Sequence, residues 1–201
     1  MDDFRQRLVQ TLHGSLCLVG LGAPDRGDDA FGLRLLETLA TNAATNAATN
    51  APPHRPVART LVAGLDPERH LGALTAAALD HVLFVDAVDF AADPGSIVLL
   101  DSAGLDHRYP QVSTHKLSLS LIARCLAGNG RTRTWLLGAQ PESVRPGTSL
   151  TVTLETTCAA LAGVLRTLWS FEPWNHAPLP ASCTTPLIHT LDQSIRQEAP
   201  C

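Results

Sequence analysis

The 201-residue sequence has few aromatic and few charged residues, and it lacks the patterns of several large protein classes. With a formal net charge of -4 and only 17% charged residues, it gives no electrostatic reason to expect nucleic acid or an anionic membrane as partner. The start, MDDFRQRLVQ, lacks the basic-then-apolar layout of a signal peptide, and no apolar run approaches the roughly 20 residues that span a bilayer. We therefore expect a soluble, cytoplasmic protein.

Common catalytic and metal-binding signatures are also missing. The chain contains no GxSxG nucleophile elbow, no HExxH and no plausible Cys-His arrangement. Its five cysteines lack CxxC spacing, which indicates neither a zinc site nor a redox pair and favours buried thiols in a reducing compartment. Hydrolysis assisted by carboxylates or a metal is therefore favoured over covalent catalysis.

Short apolar runs alternate with amphipathic stretches along the chain. The runs predict five strands, at residues 15–22, 59–64, 81–88, 96–101 and 133–140. The other stretches predict helices at residues 29–42, 67–80, 114–128 and 150–170. This alternation predicts an α/β three-layer sandwich, in which a five-stranded, mostly parallel, twisted sheet carries helices on both faces. We expect the strand after Pro94-Gly95 to run antiparallel.

The predicted organisation is one domain followed by a tail. At 45% hydrophobic residues, the chain can bury a sizeable core as a single unit. We expect this domain over residues 1–171 and a Pro-rich tail over residues 172–201 that packs on it or stays loose. The repetitive stretch at residues 41–53 is expected to be a spacer without chemistry. A domain of this size is expected to work as a monomer.

The stretch GLGAPDRGDDAFG, residues 20–32, lies where the first strand ends and a helix begins. Ligands of α/β sheets bind at such strand ends. Its GxG start is shared with dinucleotide-binding loops, but Asp25 occupies the third glycine position, and three carboxylates would repel a pyrophosphate. A nucleotide-binding enzyme is therefore disfavoured. Asp28 or Asp29 could cap the helix that begins near Ala30, yet two adjacent aspartates leave one carboxylate for a cation.

Two further residues are expected at the same edge of the sheet. Asp86 ends an apolar strand, where an unpaired buried charge would be costly, so it needs either a neighbouring amide or a cation. His115 follows an N-cap at Ser113 or Thr114 and is either a packing residue or a ligand. Together with Asp29, these side chains would leave open positions around a divalent ion such as nickel or zinc.

Four strings carry a family resemblance. They are GLGAPDRGDDAFGLRLLE (20–37), FVDAVDFAADPGSIVLL (84–100), STHKLSLSLI (113–122) and WLLGAQPESVRPGTSLT (135–151). Their order and spacing resemble those of the hydrogenase maturation endopeptidases, which remove a C-terminal extension from the large subunit of nickel-iron hydrogenases. The resemblance covers about residues 15–170.

This resemblance implies a function and roles for the site residues. It implies a cytoplasmic endopeptidase with a three-layer α/β fold that acts on a nickel-loaded hydrogenase large-subunit precursor. Asp29, Asp86 and His115 match the family's metal-contacting trio, so the resemblance makes them both metal-binding and catalytic residues. The nickel is carried by the precursor rather than permanently bound, and zinc or another divalent ion could substitute for it. The alternative function is a non-cleaving metallochaperone or precursor-binding factor of hydrogenase assembly.

Two positions depart from the family pattern. Ala23 stands where relatives usually have Asn, so a polar contact is lost that Asp25 or Arg26 is expected to replace. Residues 61–64, LVAG, stand where many relatives show an Asp-Gly pair. Neither departure removes a member of the trio. Residues 140–142, at the end of the last strand, are interpreted either as a turn into a helix or as a contact with the precursor peptide.

Overall fold

The computed structural model describes residues 2–41, 56–108, 119–128 and 130–174, with only the backbone described at residues 2 and 106–108. In chain order the elements are α1 (Asp2–Thr11), β1 (Leu16–Leu21), α2 (Phe31–Thr41), β2 (Val57–Gly64), α3 (Leu71–Ala76), β3 (His81–Ala87), β4 (Ile97–Asp101), α4 (Ser102–Arg108), α5 (Leu119–Ala127), β5 (Arg133–Ala139), α6 (Val152–Leu168) and β6 (Ser170–Pro173). Turns of 3-10 helix at Gly27–Ala30 and Pro67–His70 lead directly into α2 and α3.

The six strands form one sheet in the order β4-β5-β3-β1-β2-β6. All neighbouring strands are parallel except β4, which runs antiparallel to β5, as predicted for the strand after Pro94-Gly95. The predicted count of five strands is one too low. The sixth, β6, has only four residues, SFEP, and follows α6 after a single residue, so it carries no strand pattern of its own.

The predicted three-layer α/β fold is confirmed. Alternate residues of β1 and β3 face opposite sides of the sheet. On one side Leu16, Leu18, Leu83 and Val85 pack with buried residues of α1, α2 and α6. On the other side Cys17, Val19, Val82 and Phe84 pack with buried residues of α3, α4 and α5. Both faces of the central strands are buried, which explains their uninterrupted apolar sequences. Within the described ranges, no helix is long and apolar enough to cross a membrane.

Hydrogen bonds to Asp80 connect the segments that lead into three strands at the amino edge of the sheet. One carboxylate oxygen accepts from the backbone N–H and the hydroxyl of Ser15, each at 2.8 Å. The other accepts from Arg131 Nε at 2.9 Å. The bond from Arg131, followed by those from Ser15, holds the pKa of Asp80 below its ordinary value. The residues before β1, β3 and β5 are thereby joined.

The ordered sheet extends past residue 171, the predicted end of the domain. Phe171 of β6 and Trp174 are both buried, and the Trp174 N–H donates to the Thr60 carbonyl at 2.8 Å. Residues 175–201, most of the predicted tail, lie outside the described residues, as do residues 42–55, most of the predicted spacer. The division into a domain and a tail stays a prediction.

Candidate functional site

The carboxyl ends of β1, β3 and β5 form one edge of the sheet, and two of the three predicted site residues lie there. Asp86 is the penultimate residue of β3 and is 8% exposed. Asp29 lies in the 3-10 turn that follows β1. Because β1 and β3 are adjacent and parallel, with Gly20 opposite Val85, the structure brings both aspartates to the same edge. Their role as ligands stays a prediction.

Two glycines allow the loop after β1 to lie directly on the sheet. Gly22 has a φ of +117°, and a Cβ there would be 1.7 Å from the carbonyl oxygen of Asp29. At Gly32, in the first turn of α2, a Cβ would be 2.1 Å from the carbonyl oxygen of Val85. Only glycine permits such close backbone approach. The first turn of α2, which directly follows the turn that carries Asp29, therefore packs against Val85, the residue that precedes Asp86.

Asp29 is half-buried, and one of its carboxylate oxygens is fixed by the backbone. Its Oδ2 accepts a hydrogen bond from the Ala23 N–H at 2.8 Å, while its own N–H donates to the Arg26 carbonyl at 3.1 Å. Ala23 thus contacts Asp29 through its backbone, and what replaces the missing polar side chain at this position stays a prediction. The side chains of Asp25 and Arg26 are exposed, and whether they contact a substrate stays a prediction.

Asp28 is fully buried, in contrast to its neighbour, with 0% of its surface exposed. Its Oδ2 accepts from the N–H groups of Glu142 and Ser143, both at 2.9 Å, and its Oδ1 accepts from the Thr151 N–H at 2.7 Å. Thr151 also donates its hydroxyl to Oδ2 at 3.1 Å and is the N-cap of α6. The carboxylate therefore faces the positive end of a 17-residue helix. Asp28 supports α6 rather than capping α2.

Backbone hydrogen bonds join the loop after β1 to the loop between β5 and α6. Gly27 N–H donates to the Gly147 carbonyl at 2.8 Å, and Gly147 N–H donates to the Asp25 carbonyl at 2.9 Å. The Asp28 N–H donates to the Ser143 carbonyl at 3.0 Å. These bonds and the buried Asp28 carboxylate make the two loops one structural unit.

Gln140, immediately after β5, is 7% exposed and shapes the loop that follows β3. Its Oε1 accepts from the N–H groups of Phe90 at 2.8 Å and Ala92 at 3.3 Å, and its Nε2 donates to Asp89 Oδ1 at 3.1 Å. Between them Ala91 has a φ of +57°, a conformation that costs energy outside glycine. Hydrogen bonds from Ala91, and secondly from Gln140, lower the pKa of Asp89.

For residues 140–142 the sequence favoured either a turn or a contact with the precursor peptide. The Gln140 side chain binds within the protein, and the precursor contact of this segment stays a prediction. The same reasoning that identified Asp86 applies to Gln140, because a polar residue that ends a buried apolar strand needs partners. The third predicted ligand, His115, lies outside the described residues. Among the residues whose placement is described, no three His, Cys, Asp or Glu side chains form a group that could hold a metal ion.

Comparisons with known proteins identify relatives that share this architecture. The family model for hydrogenase maturation proteases, HycI, matches residues 50–165. The NiFe hydrogenase maturation protease HycI from Thermococcus kodakarensis KOD1 is 25% identical, with a TM-score of 0.63, and the similarity covers 83% of this chain and 98% of that one. An endopeptidase from Escherichia coli, solved in solution, is 26% identical, with a TM-score of 0.57 and coverage of 77% and 91%.

A third structure, the hydrogenase maturating endopeptidase HybD from E. coli, shows the same fold at 23% identity. The similarity has a TM-score of 0.58 and covers 75% of this chain and 89% of HybD. A search of the curated proteins found no match. Because the family model matches more than half of the sequence, the chain belongs to the hydrogenase maturation protease family.

Proposed function

We propose that this chain removes the C-terminal extension of a nickel-loaded nickel-iron hydrogenase large-subunit precursor and recognises the inserted metal through Asp29, Asp86 and His115. Family membership supports the reaction class. The observation that carries the assignment of the site is the position of Asp29 and Asp86 at the same end of two adjacent parallel strands. A cytoplasmic location and action as a monomer belong to the same proposal.

The proposed chemistry follows from the donor set. Two carboxylates and an imidazole suit a borderline divalent ion, which is nickel in the precursor, although zinc or another divalent ion would fit the same donors. Nickel held by the precursor would have open coordination positions, and these three side chains would occupy them. A precursor without the metal would lose this anchor. Bound nickel would also polarise a nearby peptide carbonyl and so favour attack by water.

The test of metal recognition compares two forms of one substrate. Purified protein is incubated with nickel-loaded and with nickel-free large-subunit precursor, and the released C-terminal peptide is measured by mass spectrometry. We expect release from the loaded precursor alone, because the metal is the recognition element. Equal release from both forms would contradict metal gating, and release from neither would contradict the proposed activity.

Substitutions separate this function from that of a non-cleaving metallochaperone. Asp29→Asn, Asp86→Asn and His115→Gln are each expected to lower the cleavage rate by on the order of a hundredfold, since each removes a ligand. The matched control is Asp101→Asn, which changes an exposed aspartate at the end of antiparallel β4, paired with Trp135 away from the carboxyl edge. The control should cut at the wild-type rate. A pure binding factor would leave the precursor intact with every variant, including the wild type.

A further inference from the structure

Residues 140–143, which follow β5, contact the loop that carries Asp29 and the loop that follows Asp86. We name this segment the β5 bracket. On one side it binds the loop after β1 through Asp28, the residue next to Asp29. On the other side it binds the loop after β3 through Gln140, and that loop begins just beyond Asp86. Because the strand order is β5-β3-β1, the bracket lies beside Asp86 and also contacts the loop that carries Asp29.

The first contact of the bracket is made by a buried carboxylate with backbone donors. Asp28 accepts from two successive N–H groups of the bracket, Glu142 and Ser143, and its own N–H donates to the Ser143 carbonyl. A buried carboxylate that accepts several N–H bonds has little freedom, because losing any of them leaves a polar group unsatisfied. The backbone at Asp29 is thereby fixed relative to β5.

The second contact is made by a buried amide. The Gln140 side chain accepts from Phe90 and Ala92 and donates to Asp89, so three of its hydrogen bonds hold the loop after β3 in one conformation. A fourth bond, from Nε2 to the Pro141 carbonyl at 3.4 Å, brings the amide group to two accepted and two donated hydrogen bonds, which is its full capacity. The Gln140 side chain thus holds this loop against β5, together with the backbone hydrogen bond from the Val88 N–H to the Ala139 carbonyl at 2.8 Å.

The strand that supports the bracket is itself held on two sides. β5 pairs with parallel β3 as far as Ala139 and with antiparallel β4. Beyond the strand, Gln140 N–H donates to the Ser96 carbonyl at 2.8 Å, and Gly95 N–H donates to the Gln140 carbonyl at 2.9 Å. A segment anchored in this way moves little, so it restricts the positions of the two loops that bind it.

We propose that the β5 bracket fixes the separation of the Asp29 and Asp86 carboxylates, with Asp28 and Gln140 as positioning residues. This inference rests on the proposed function, in which both carboxylates bind one metal ion of the precursor. Ligands to a shared ion must stay at a set distance from each other, and small displacements of reacting groups lower rates sharply. Neither Asp28 nor Gln140 needs to contact the precursor for this effect.

The test uses Asp28→Asn, which replaces one of the two accepting oxygens with a donor, and Gln140→Met, which removes the side-chain hydrogen bonds to the loop after β3. Asp80→Asn is the matched control, because Asp80 is also a carboxylate that accepts three hydrogen bonds, but at the amino edge. The cleavage constants kcat and KM are measured with nickel-loaded precursor at a temperature where every variant is folded. The affinities for nickel-loaded and nickel-free precursor are measured in parallel, and their ratio reports metal recognition.

Both bracket variants are expected to lower kcat by about tenfold to a hundredfold and to reduce the loaded-to-free affinity ratio. Asp80→Asn should leave both quantities at wild-type values while lowering the unfolding temperature. In an Asp29→Asn background, Asp28→Asn should cause no further loss in the affinity ratio, because the positioned ligand is already gone. Should Asp28→Asn not fold, Gln140→Met, which exchanges one neutral side chain for another, tests the second contact independently.

The outcomes separate the bracket from the proposed function. If the wild type cuts loaded precursor and the two bracket variants keep wild-type kcat and affinity ratio, as Asp80→Asn should, the positioning role of the bracket is contradicted. The proposed function is unaffected by that result. If the wild type does not cut loaded precursor, the proposed function fails and the bracket fails with it. The proposal is supported if kcat and the affinity ratio fall in both bracket variants and stay at wild-type values in Asp80→Asn.

Discussion

Asp28 and Asp29 are adjacent residues of the same type, yet their surroundings give them different roles. Asp28 has no exposed surface and binds backbone groups of the loop between β5 and α6, whereas Asp29 is half-buried at the edge of the sheet. The partners of Asp28 are 114 to 123 residues away, and three of its four hydrogen bonds come from backbone N–H groups. Such donors carry no signature in the sequence, so the sequence alone could not assign the buried role to one of the two.

Another residue-scale environment concerns His81, which is 2% exposed at the start of β3. Its Nδ1 accepts a hydrogen bond from Trp135 Nε1 at 3.1 Å, and the His13 ring lies 5.4 Å away. Burial is the main cause that lowers the pKa of His81. The charges of His13 and Arg133 lower this pKa further, and the charge of Asp80 opposes them in part. The native protein therefore keeps this imidazole neutral at pH values where an exposed histidine is partly charged.

We predict that His81 makes the protein less stable in mild acid. The unfolded chain binds a proton at this residue near its ordinary pKa of 6.5, while the native state resists protonation. The contribution is therefore present above that pH and is lost as the pH falls below it. His81→Asn keeps an acceptor for Trp135 but does not titrate. Urea unfolding between about pH 5 and 8 should show a flatter pH dependence for the variant, and equal slopes would contradict the prediction.

At the scale of the element, two helical glycines have opposite surroundings. Gly32 lies in the first turn of α2, where a Cβ would be 2.1 Å from the Val85 carbonyl oxygen and 2.6 Å from that of Leu21. Gly163 lies on an exposed part of α6, where a Cβ would have no atom within 4 Å. One glycine is therefore required by close packing of a helix on the sheet, and the other is not.

We predict opposite effects of alanine at these two positions. Gly32→Ala should destabilise the protein by on the order of 3 kcal/mol or more, because backbone atoms of two strands must move. Gly163→Ala should stabilise it by about 1 kcal/mol, since alanine restricts the unfolded chain and favours the helix. Denaturant unfolding measures both free energies. A stable Gly32→Ala protein would show that α2 can shift away from β3 at little cost.

The elements that the sequence patterns missed are those whose stability comes from neighbours. α1 was not predicted, although Leu8 and Leu12 pack it on the sheet. The predicted helix at residues 67–80 is shorter in the structure, because a 3-10 turn precedes α3 and Ala78 adopts a φ of +47° after it. Whether these helices form, and where they end, is determined by tertiary contacts rather than by local helix propensity.

At the scale of the whole molecule, the layered architecture was predictable and the lateral order of strands was not. Strands buried on both faces are continuously apolar, so β1, β3 and β5 were visible in the sequence, and the common edge of Asp29 and Asp86 followed from parallel pairing. The lateral order of the strands depends on which helices cover each face of the sheet. That arrangement is set by packing between segments that are distant in the sequence. The contribution of His115 to the site stays a prediction.

The end of the described chain completes both cores, which leads to a prediction about truncation. Trp169 and Phe171 are buried in the core on the α6 side, and Trp174 is buried in the core on the opposite side. A chain that ends after residue 168 loses all three, and the loss should reach at least about 5 kcal/mol relative to a chain that ends after residue 174. Because this approaches the whole stability of a typical domain, the shorter chain should be largely unfolded. Circular dichroism during thermal unfolding compares the two, and coincident transitions would contradict the prediction.

The hydrogen bonds among the carboxyl-edge loops restrict how these loops can be exchanged with those of a relative. The segment after β5 binds the loop after β1 through Asp28 and the loop after β3 through its own Gln140, so a loop taken singly from a relative would meet mismatched partners. Transplanting the loops that follow β1, β3 and β5 as one set keeps those partners together. The Asp80 cross-links at the far edge would hold the recipient sheet during such a graft. Under the proposed function, a change of substrate would therefore require an exchange of these loops together.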